Sequence, residues 1–575
     1  MSKVIFACRR VSDFSDSTLD RLSEICKLLT PDNLTSVPEP RICVFGKTAY
    51  AVTLPNSALH ETGSSLLLGW LYEKPGTEWS TPEQTSPDGN YALFRDGGDK
   101  LEVVSDAAGS RTLWYYYDAN LFVSSTSQRA IILFLGKFEF DERVIPWMLS
   151  TGSQGPEFSW DKNLKRLQAD SSVILDKKTW TISNTRRQVI FSSATRTREQ
   201  HQNILAEAVR QTIRGLSGLD FSRWALPLSG GVDSRAILCY IKEQLGIPKG
   251  LKAVTWGLEL SMDEEDNDAV VARDLAGVLG VPHEWYTTDL SSESVDTVLN
   301  RFVLCSEGRI DQISGYMDGM EIWRRLHDEG IEGVIRGDEG FGWVPVSSEL
   351  KVRLSVGCAL CTDFENLENL SQEFSLHRQE LPSVLLQAAG ESLEQWRDRL
   401  YQSYRIPSVL AALSDIKFSY IEQITPLLSR SILTAARTIP DDLRTNKLLF
   451  REIVDAIGPD VPFARMEATA ERKDILRNRA VVSLLKSEIG GSDAVQLLGS
   501  RFIRTILDGI MEDPSGSKPL RVKVSVRSLV PRFVRNWLRL RLLRPRVDGN
   551  VLAFRVFLII KMQKVLKAHA ARFSS

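Results

Sequence analysis

Six consecutive positions near the middle of the chain combine glycine, hydroxyl and carboxylate residues in a spacing suited to polyphosphate binding. Ser229, Gly230 and Gly231 are followed by Asp233 and Ser234. The glycines have no Cβ and leave backbone N–H groups accessible, the serines add hydroxyl donors, and the N-terminus of a following helix favours an anion. We interpret this stretch as a phosphate-binding loop; the alternative is an ordinary Gly-Gly turn capped by Ser and Asp.

Asp233 introduces negative charge where a phosphate is expected. A carboxylate is repelled by a polyphosphate unless a divalent cation lies between them, so we predict that Asp233 is a Mg²⁺ ligand. The stretch does not fit G-x-x-x-x-G-K-[ST] or G-x-G-x-x-G. It is therefore neither of the two commoner nucleotide-binding loops.

Strands and helices are predicted to alternate around this loop. The apolar residues 224–228 predict a buried strand and residues 236–245 a helix, and residues 251–255 predict the next strand. A helix over 268–280 ends at a glycine before a further strand. This order predicts an α/β fold with a doubly wound parallel sheet whose ligand binds at the carboxyl ends of the strands.

The chain of 575 residues is too long for one core, and we divide it into three parts. Short apolar segments separated by turns predict a β-rich domain over residues 1–195. The parallel-sheet domain, with a helical C-terminal part, is assigned to residues 196–500. Residues 501–575 are predicted to form a basic helical C-terminal extension.

Composition excludes some partners for the whole chain and suggests others for its C-terminal part. The formal net charge is −2, so no global field favours nucleic acid or a membrane. Seven scattered cysteines and the lack of a secretory segment predict a cytoplasmic protein. Basic side chains dominate from Lys518 onward, which predicts a local basic surface and a weak membrane or protein contact. The apolar residues 551–560 are too few to span a bilayer and predict a buried or membrane-surface helix.

The loop resembles the PP-loop of ATP pyrophosphatases, S-G-G-x-D-S, which split ATP into AMP and pyrophosphate while adenylating a substrate. A second motif resembles G-x-G-[SA]-D-E-x-F-G-G of asparagine synthetases, with matches at Gly337, Asp338, Glu339, Phe341 and Gly342. The resemblance implies ATP and Mg²⁺ as cofactors, with Asp233 and Asp338 as the metal ligands. The ATP and pyrophosphate residues that it implies are Leu228, Ser229, Gly230, Gly231, Asp233, Ser234 and Gly337.

Residues 88–94, 106–116 and 122–125 resemble the glutaminase domain of asparagine synthetases. The resemblance implies an N-terminal Ntn-glutaminase-like α+β sandwich ahead of the PP-loop ATP pyrophosphatase domain. A working glutaminase of this kind needs a cysteine directly after the initiator Met, where this chain has Ser2. We therefore expect a degenerate scaffold without glutamine hydrolysis; a nucleophilic Ser2 is the alternative.

Two further segments resemble asparagine synthetases. Residues 420–428 are similar to E-x-R-x-P-F-L-D, and residues 447–451 to K-x-x-L-R. Glu422 matches the carboxylate that in relatives helps to deprotonate the attacking amine. Burial in an apolar cleft would raise its pKa toward that of a useful base, so we predict a catalytic Glu422. A surface salt bridge is the alternative.

The family's catalytic lysine, in R-x-K-x-x-[FG], has no direct match. If the spacing of the family pattern is kept, the position of its lysine is occupied by Glu467. Lys473 takes over the role if a short insertion is allowed, and it is our candidate for the cation that steadies the intermediate and pyrophosphate. The identity of that cation stays open.

The resemblance implies ATP-dependent adenylation of a carboxylate followed by attack of an amine. Asparagine synthetases need the missing cysteine to make ammonia, whereas β-lactam synthetases and lasso peptide cyclases close a ring with an amine of their substrate. We favour a lasso peptide cyclase, which joins the N-terminal amine of a precursor core peptide to an Asp or Glu side chain in a macrolactam. Its expected partners are a leader-peptide-binding protein and a leader peptidase. The alternatives are a β-lactam synthetase-like or asparagine synthetase-like small-molecule amide ligase and a non-catalytic nucleotide-binding scaffold.

Overall fold

The computed structural model describes residues 3–73, 76–513 and 544–573. Ser2 and its predicted place in a glutaminase site lie outside these residues. Within them, no helix combines the length and the apolar character needed to cross a membrane.

The described residues form seventeen strands and twenty α-helices, a mixed α/β fold as predicted. The strands are β1 (Val4–Arg9), β2 (Arg41–Phe45), β3 (Thr48–Val52), β4 (Leu59–Thr62), β5 (Ser65–Leu71), β6 (Gly89–Asp96), β7 (Lys100–Ser105), β8 (Leu113–Tyr117), β9 (Leu121–Ser125), β10 (Lys165–Leu167), β11 (Ser171–Asp176), β12 (Thr181–Arg186), β13 (Trp224–Pro227), β14 (Lys252–Gly257), β15 (His283–Thr287), β16 (Gly333–Ile335) and β17 (Glu422–Ile424).

The helices fall mostly in the second half of the chain. They are α1 (Asp16–Leu29), α2 (Gln128–Leu135), α3 (Val144–Thr151), α4 (Arg198–Arg214), α5 (Val232–Leu245), α6 (Asp268–Leu279), α7 (Val295–Ser306), α8 (Glu321–Asp328), α9 (Glu349–Val356), α10 (Glu365–Glu373), α11 (Leu393–Leu400), α12 (Ala411–Lys417), α13 (Arg430–Arg437), α14 (Asp441–Arg444), α15 (Leu448–Ile457), α16 (Arg472–Leu476), α17 (Arg479–Ile489), α18 (Ser492–Leu498), α19 (Ser500–Asp508) and α20 (Gly549–Arg572). A π-helical segment, Tyr401–Leu410, joins α11 to α12.

The N-terminal part is a sandwich of two six-stranded antiparallel sheets, in the orders β10-β8-β9-β1-β3-β2 and β12-β11-β7-β6-β5-β4. Apolar side chains from both sheets meet between them, and Phe6 stacks on Phe94 with ring centroids 5.3 Å apart. The helices α1–α3 were not predicted from the sequence. In α2 nearly every side chain is buried, so its sequence shows no amphipathic period.

The second part is built on a five-stranded parallel sheet in the order β15-β14-β13-β16-β17. The chain runs outward from β13 in one direction through β14 and β15, and in the other through β16 and β17. A crevice is expected where the order reverses, between β13 and β16, outside their carboxyl ends. Helix α5 follows β13 directly and begins at Val232.

The C-terminal helix α20 contains residues 551–560, for which we predicted a buried or membrane-surface helix, and the structure shows that it is buried. Its apolar residues, including Phe554 and Phe557, are fully buried in the largest core of the molecule. Arg555 bonds to Asp311 at 2.6 Å, and Lys561 pairs with Glu488 at 3.2 Å. The basic groups of this helix are thus largely neutralised by acidic groups of the same chain. Its burial is expected, because a helix that is apolar on all sides is stable only when it is surrounded by other parts of the protein. The remaining basic run, residues 518–541, lies outside the described residues.

Candidate active site

The loop between β13 and α5 is braced by its own hydroxyl groups. The Ser229 N–H donates to the Ser234 hydroxyl at 3.0 Å, and the two hydroxyl oxygens are also 3.0 Å apart. The Gly230 N–H donates to the Asp268 carboxylate at 2.7 Å, and the Gly231 N–H to the Ser229 hydroxyl at 3.2 Å. Two N–H groups that the sequence suggested were open are therefore engaged. Because α5 begins four residues before the predicted start, Asp233 and Ser234 lie in its first turn.

Asp233 lies against a cation from a distant part of the chain. The Lys447 Nζ is 2.6 Å from Asp233 Oδ2 and 2.9 Å from Glu339 Oε1. Burial raises the pKa of Asp233, against the opposing effect of Lys447. The other carboxylate oxygen, Oδ1, is buried and accepts no hydrogen bond from the described residues. Asp233 thus keeps an unsatisfied acceptor next to the loop.

The backbone that presents Lys447 is strained. Asn446 and Lys447 have φ of 57° and 58°, in the left-handed region that non-glycine residues avoid at a cost of about 1–3 kcal/mol each. Burial raises the pKa of Glu339 to about 7, with Lys447 lowering it. Such strain is maintained where the surroundings require one side-chain position, here that of a lysine bridging the buried Glu339 and the partly buried Asp233.

Asp338 follows β16 and faces the same crevice. Its carboxylate is 3.4 Å from the Arg336 guanidinium. A Cβ at the preceding Gly337 would lie 2.8 Å from the backbone N of Ser234, so only glycine lets this turn pack against the loop. The negative charge of Asp338 also raises the pKa of Asp233. The structure therefore brings together the two carboxylates that we predicted as metal ligands.

These groups line one cavity of about 390 Å³, the nucleotide cavity. Its walls are formed by Pro227, Leu228, Ser229, Asp233, Ser234, Thr255, Trp256, Asp268, Arg336, Gly337, Asp338, Glu467, Ala468 and Thr469. Of the predicted binding residues, Gly230 and Gly231 belong to the loop but not to the wall. Burial raises the pKa of Asp268 to about 6.

Several wall residues were missed by sequence reasoning. Thr255 and Trp256 lie near the carboxyl end of β14, so the strand-end rule could have found them. Asp268 is the first residue of α6, the helix after that strand. Lys447 was noted in a motif but without a role, because its contact with Asp233 spans 214 positions.

Glu422 does not line the nucleotide cavity. It begins β17 in register with Gly333, which in turn pairs with Trp224 at the start of β13. The loop begins at Ser229, five residues after Trp224, so Glu422 lies about 16 Å away along the strands. Its carboxylate is fully buried and forms an ion pair with Arg111. Glu422, the predicted base, therefore lies at the amino ends of the strands. The alternative interpretation was a surface salt bridge, and Glu422 does form a salt bridge, but a buried one.

Lys473 lies in a second cavity of about 620 Å³ rather than at the phosphate loop. Its side chain is half exposed, and its Nζ is 3.2 Å from Glu471. Glu467 and Thr469 belong to the walls of both cavities. The structure thus places Lys473 on the far side of residues 467–469 from the nucleotide cavity.

A crevice at the switch point of a parallel sheet, with a hydroxyl-rich loop and two carboxylates, is the arrangement expected of a nucleotide-binding α/β protein. Residues 205–307, which contain this loop, match the family model described as asparagine synthase. The match supports an asparagine synthetase-like family and an enzyme that uses ATP.

No curated protein matches the chain. Similar solved structures include the U34-tRNA thiolase NcsA from Methanococcus maripaludis, 12% identical, with 63% of this chain and 100% of that chain covered and a TM-score of 0.22. Another is the glutamine phosphoribosylpyrophosphate amidotransferase from B. subtilis, 8% identical, with 50% and 82% covered and a TM-score of 0.21. Similarities this low carry no argument about fold or function.

Proposed function

We propose that this protein is an ATP-dependent amide ligase that adenylates a carboxylate, releases pyrophosphate and transfers the acyl group to an amine. One observation carries the proposal. The S-G-G-x-D-S loop after β13 and Asp338 after β16 meet in one cavity at the switch point of the sheet, within reach of a bridging lysine. The asparagine synthase match over the loop supports the same reaction class.

The residues of the cavity fit Mg²⁺. Asp233 Oδ1 is buried without a hydrogen-bond donor among the described residues, and Asp338 adds a second carboxylate. Mg²⁺ in nucleotide sites is held by one or two carboxylates together with substrate phosphates. Asp233 and Asp338 would hold the ion, whose charge would neutralise the phosphates of ATP.

The chain's own groups bind and orient the triphosphate. The N-terminus of α5 and the hydroxyls of Ser229 and Ser234 favour an anion at the loop. Lys447 is held between Asp233 and Glu339, where its ammonium group offsets part of the pyrophosphate charge as the bond to AMP breaks. The Asp268 carboxylate leaves the Gly230 N–H when a phosphate oxygen takes its place.

For the substrate we propose a peptide that is closed into a macrolactam, as in lasso peptide cyclases. The size of the space next to the nucleotide cavity supports this choice. The second cavity, about 620 Å³, shares a wall with the nucleotide cavity and is larger than a single amino acid requires. It accommodates several residues of a peptide whose Asp or Glu side chain reaches the α-phosphate.

The test combines ATP and Mg²⁺ with synthetic linear peptides that carry a free N-terminus and one internal Asp or Glu, and with free aspartate. We expect pyrophosphate release and a peptide product lighter by one water. Asp233→Asn should lower both on the order of 10³-fold, because a metal ligand and its charge are lost.

Asp274→Asn is the matched control, since Asp274 is an exposed residue of α6 paired only with Arg273 among the described residues. It should leave turnover unchanged. Adenylation of aspartate alone would identify the small-molecule ligase instead. ATP binding without pyrophosphate release from any of these substrates would contradict the ligase proposal and favour the non-catalytic scaffold.

A further inference from the structure

Residues 467–469 separate the two cavities and are held in place by the sheet domain. The Ala468 carbonyl accepts hydrogen bonds from the Leu258 N–H at 2.8 Å and the Ser261 hydroxyl at 2.9 Å. The Glu467 carbonyl accepts one from the Asn267 side chain at 3.3 Å. The backbone of this segment is therefore anchored while the Glu467 side chain is exposed at the junction.

Glu467 differs from the other carboxylates in the two walls. In the nucleotide cavity Asp233 pairs with Lys447, Asp338 with Arg336, and Asp268 accepts the Gly230 N–H. In the second cavity Glu471 pairs with Lys473 and Asp548 with Arg477. Among the described residues, the Glu467 carboxylate has neither a cation nor a hydrogen-bond donor. It is the acidic group of these walls that remains available to an incoming amine.

We propose that the second cavity holds the amine-bearing part of the substrate and that Glu467 is the catalytic base for amide formation. This inference rests on the proposed ligase function. The cavity wall suits a peptide, because its hydroxyl and amide groups, among them Ser150, Ser314 and Gln312, lie beside the apolar Leu354 and Val551. Its basic Arg472 and Arg555 share the Asp311 carboxylate, at 2.7 and 2.6 Å, and the carboxylates of Glu467, Glu471 and Asp548 in the wall offset further positive charge that would repel an amine.

The step balances with the groups named. The lone pair of the neutral amine forms the C–N bond at the carbonyl carbon of the acyl-adenylate, and the C–O bond to AMP breaks with its electron pair on AMP. The proton lost by the nitrogen passes to the Glu467 carboxylate and then to solvent. Glu467 belongs to the walls of both cavities, so it lies where an amine in the second cavity would meet an acyl-adenylate in the nucleotide cavity.

Two half-reactions separate this role from adenylation. Hydroxylamine traps an acyl-adenylate as a hydroxamate, and ATP–pyrophosphate exchange reports adenylation itself. With the peptide panel described above, Glu467→Gln should keep both signals within about twofold and lose roughly 100-fold or more in macrolactam formation. Glu467→Asp should recover part of the rate, and the remaining rate of Glu467→Gln should rise with pH as more amine is deprotonated.

Glu265→Gln is the matched control, an exposed glutamate outside both walls, and should behave as wild type. Leu354→Trp fills the second cavity from an exposed position on α9 and should raise the KM for peptide, whereas Leu290→Trp, exposed elsewhere, should not. Wild-type macrolactam formation by Glu467→Gln overturns the inference and leaves the ligase intact. Loss of hydroxamate and exchange together with macrolactam formation in this variant also overturns the assigned role, and their absence in the wild type overturns both proposals.

Discussion

The two ends of the parallel sheet both pair acidic groups with basic ones, but they differ in whether the acidic group lines a cavity. At the amino ends, Glu422 pairs with Arg111, and Asp415 nearby pairs with Arg309; all four side chains are less than 7% exposed. At the carboxyl ends, Asp233 pairs with Lys447 yet keeps one oxygen without a donor among the described residues, next to a cavity.

The difference separates a structural role from a chemical one. Arg111 lies between two strands of the sandwich, β7 and β8, so its pair with Glu422 joins the sandwich to β17. A buried ion pair that does not line either of the two cavities has no room for a ligand. At the carboxyl ends, the backbone of Lys447 is strained, the pKa of Glu339 is raised and a cavity lies beside them. Backbone strain and shifted pKa values are typical of sites that bind or transform a substrate.

The largest effect that would sharpen this comparison is on stability at the amino ends. Arg111→Met leaves the buried Glu422 without this cation and should lower the free energy of unfolding by about 3–5 kcal/mol. Arg198→Met, which breaks the exposed pair with Glu452, should cost less than about 1 kcal/mol. Calorimetry compares the two losses, and equal losses would contradict the structural role.

The companion variant Glu422→Gln tests whether Glu422 is also a base. We expect macrolactam formation by the folded fraction to stay near that of wild type. A folded Glu422→Gln protein that adenylates but forms no amide would restore Glu422 as the catalytic carboxylate and break the comparison.

At the carboxyl ends, Lys447→Met should weaken ATP binding by about 10–100-fold. The variant removes the cation between Asp233 and Glu339, so the negative charge of these two carboxylates is no longer offset by Lys447 when ATP binds. Titration calorimetry with ATP measures the change, with the exposed Lys249→Met as control. Unchanged ATP affinity in Lys447→Met would show that the lysine serves the fold alone.

The smallest effect concerns pH. Asp268 has a pKa raised to about 6 by burial, so it is charged above that pH and neutral below it. Asp268→Asn removes a negative charge from the cavity wall and should tighten ATP binding by roughly threefold to tenfold at pH 8. The gain should disappear at pH 5, where wild-type Asp268 is protonated. An equal gain at both pH values would mean that charge is not the cause.

The sequence predicted the elements that carry local signals. The strand before the loop, the loop itself, the helix of residues 268–279 and the second acidic turn all depend on residues close together in the chain. The resemblance to asparagine synthetases implied that Asp233 and Asp338 lie together, whereas the strand order that puts β16 beside β13 came from the structure. The domain boundaries at 195 and 500 stay predictions.

Contacts between distant residues could not be predicted in this way. The position of Glu422 depends on strand register, since β17 begins beside Gly333 and thereby turns the glutamate away from the loop. The apolar run in α20 predicted a buried or membrane-surface helix, and only the structure shows which core surrounds it. In the sequence, Glu467 only replaces the lysine of the family pattern; its position between two cavities is given by the structure.

By itself, the sequence predicted the loop of residues 229–234, the strand before it, the helix after it and the acidic turn at Asp338, because backbone preference and glycine spacing act over a few residues. Only the tertiary structure decided which charges are satisfied. An ion pair such as Lys447–Asp233 or Glu422–Arg111 joins positions more than two hundred residues apart, and its partners are set by packing rather than by any local pattern.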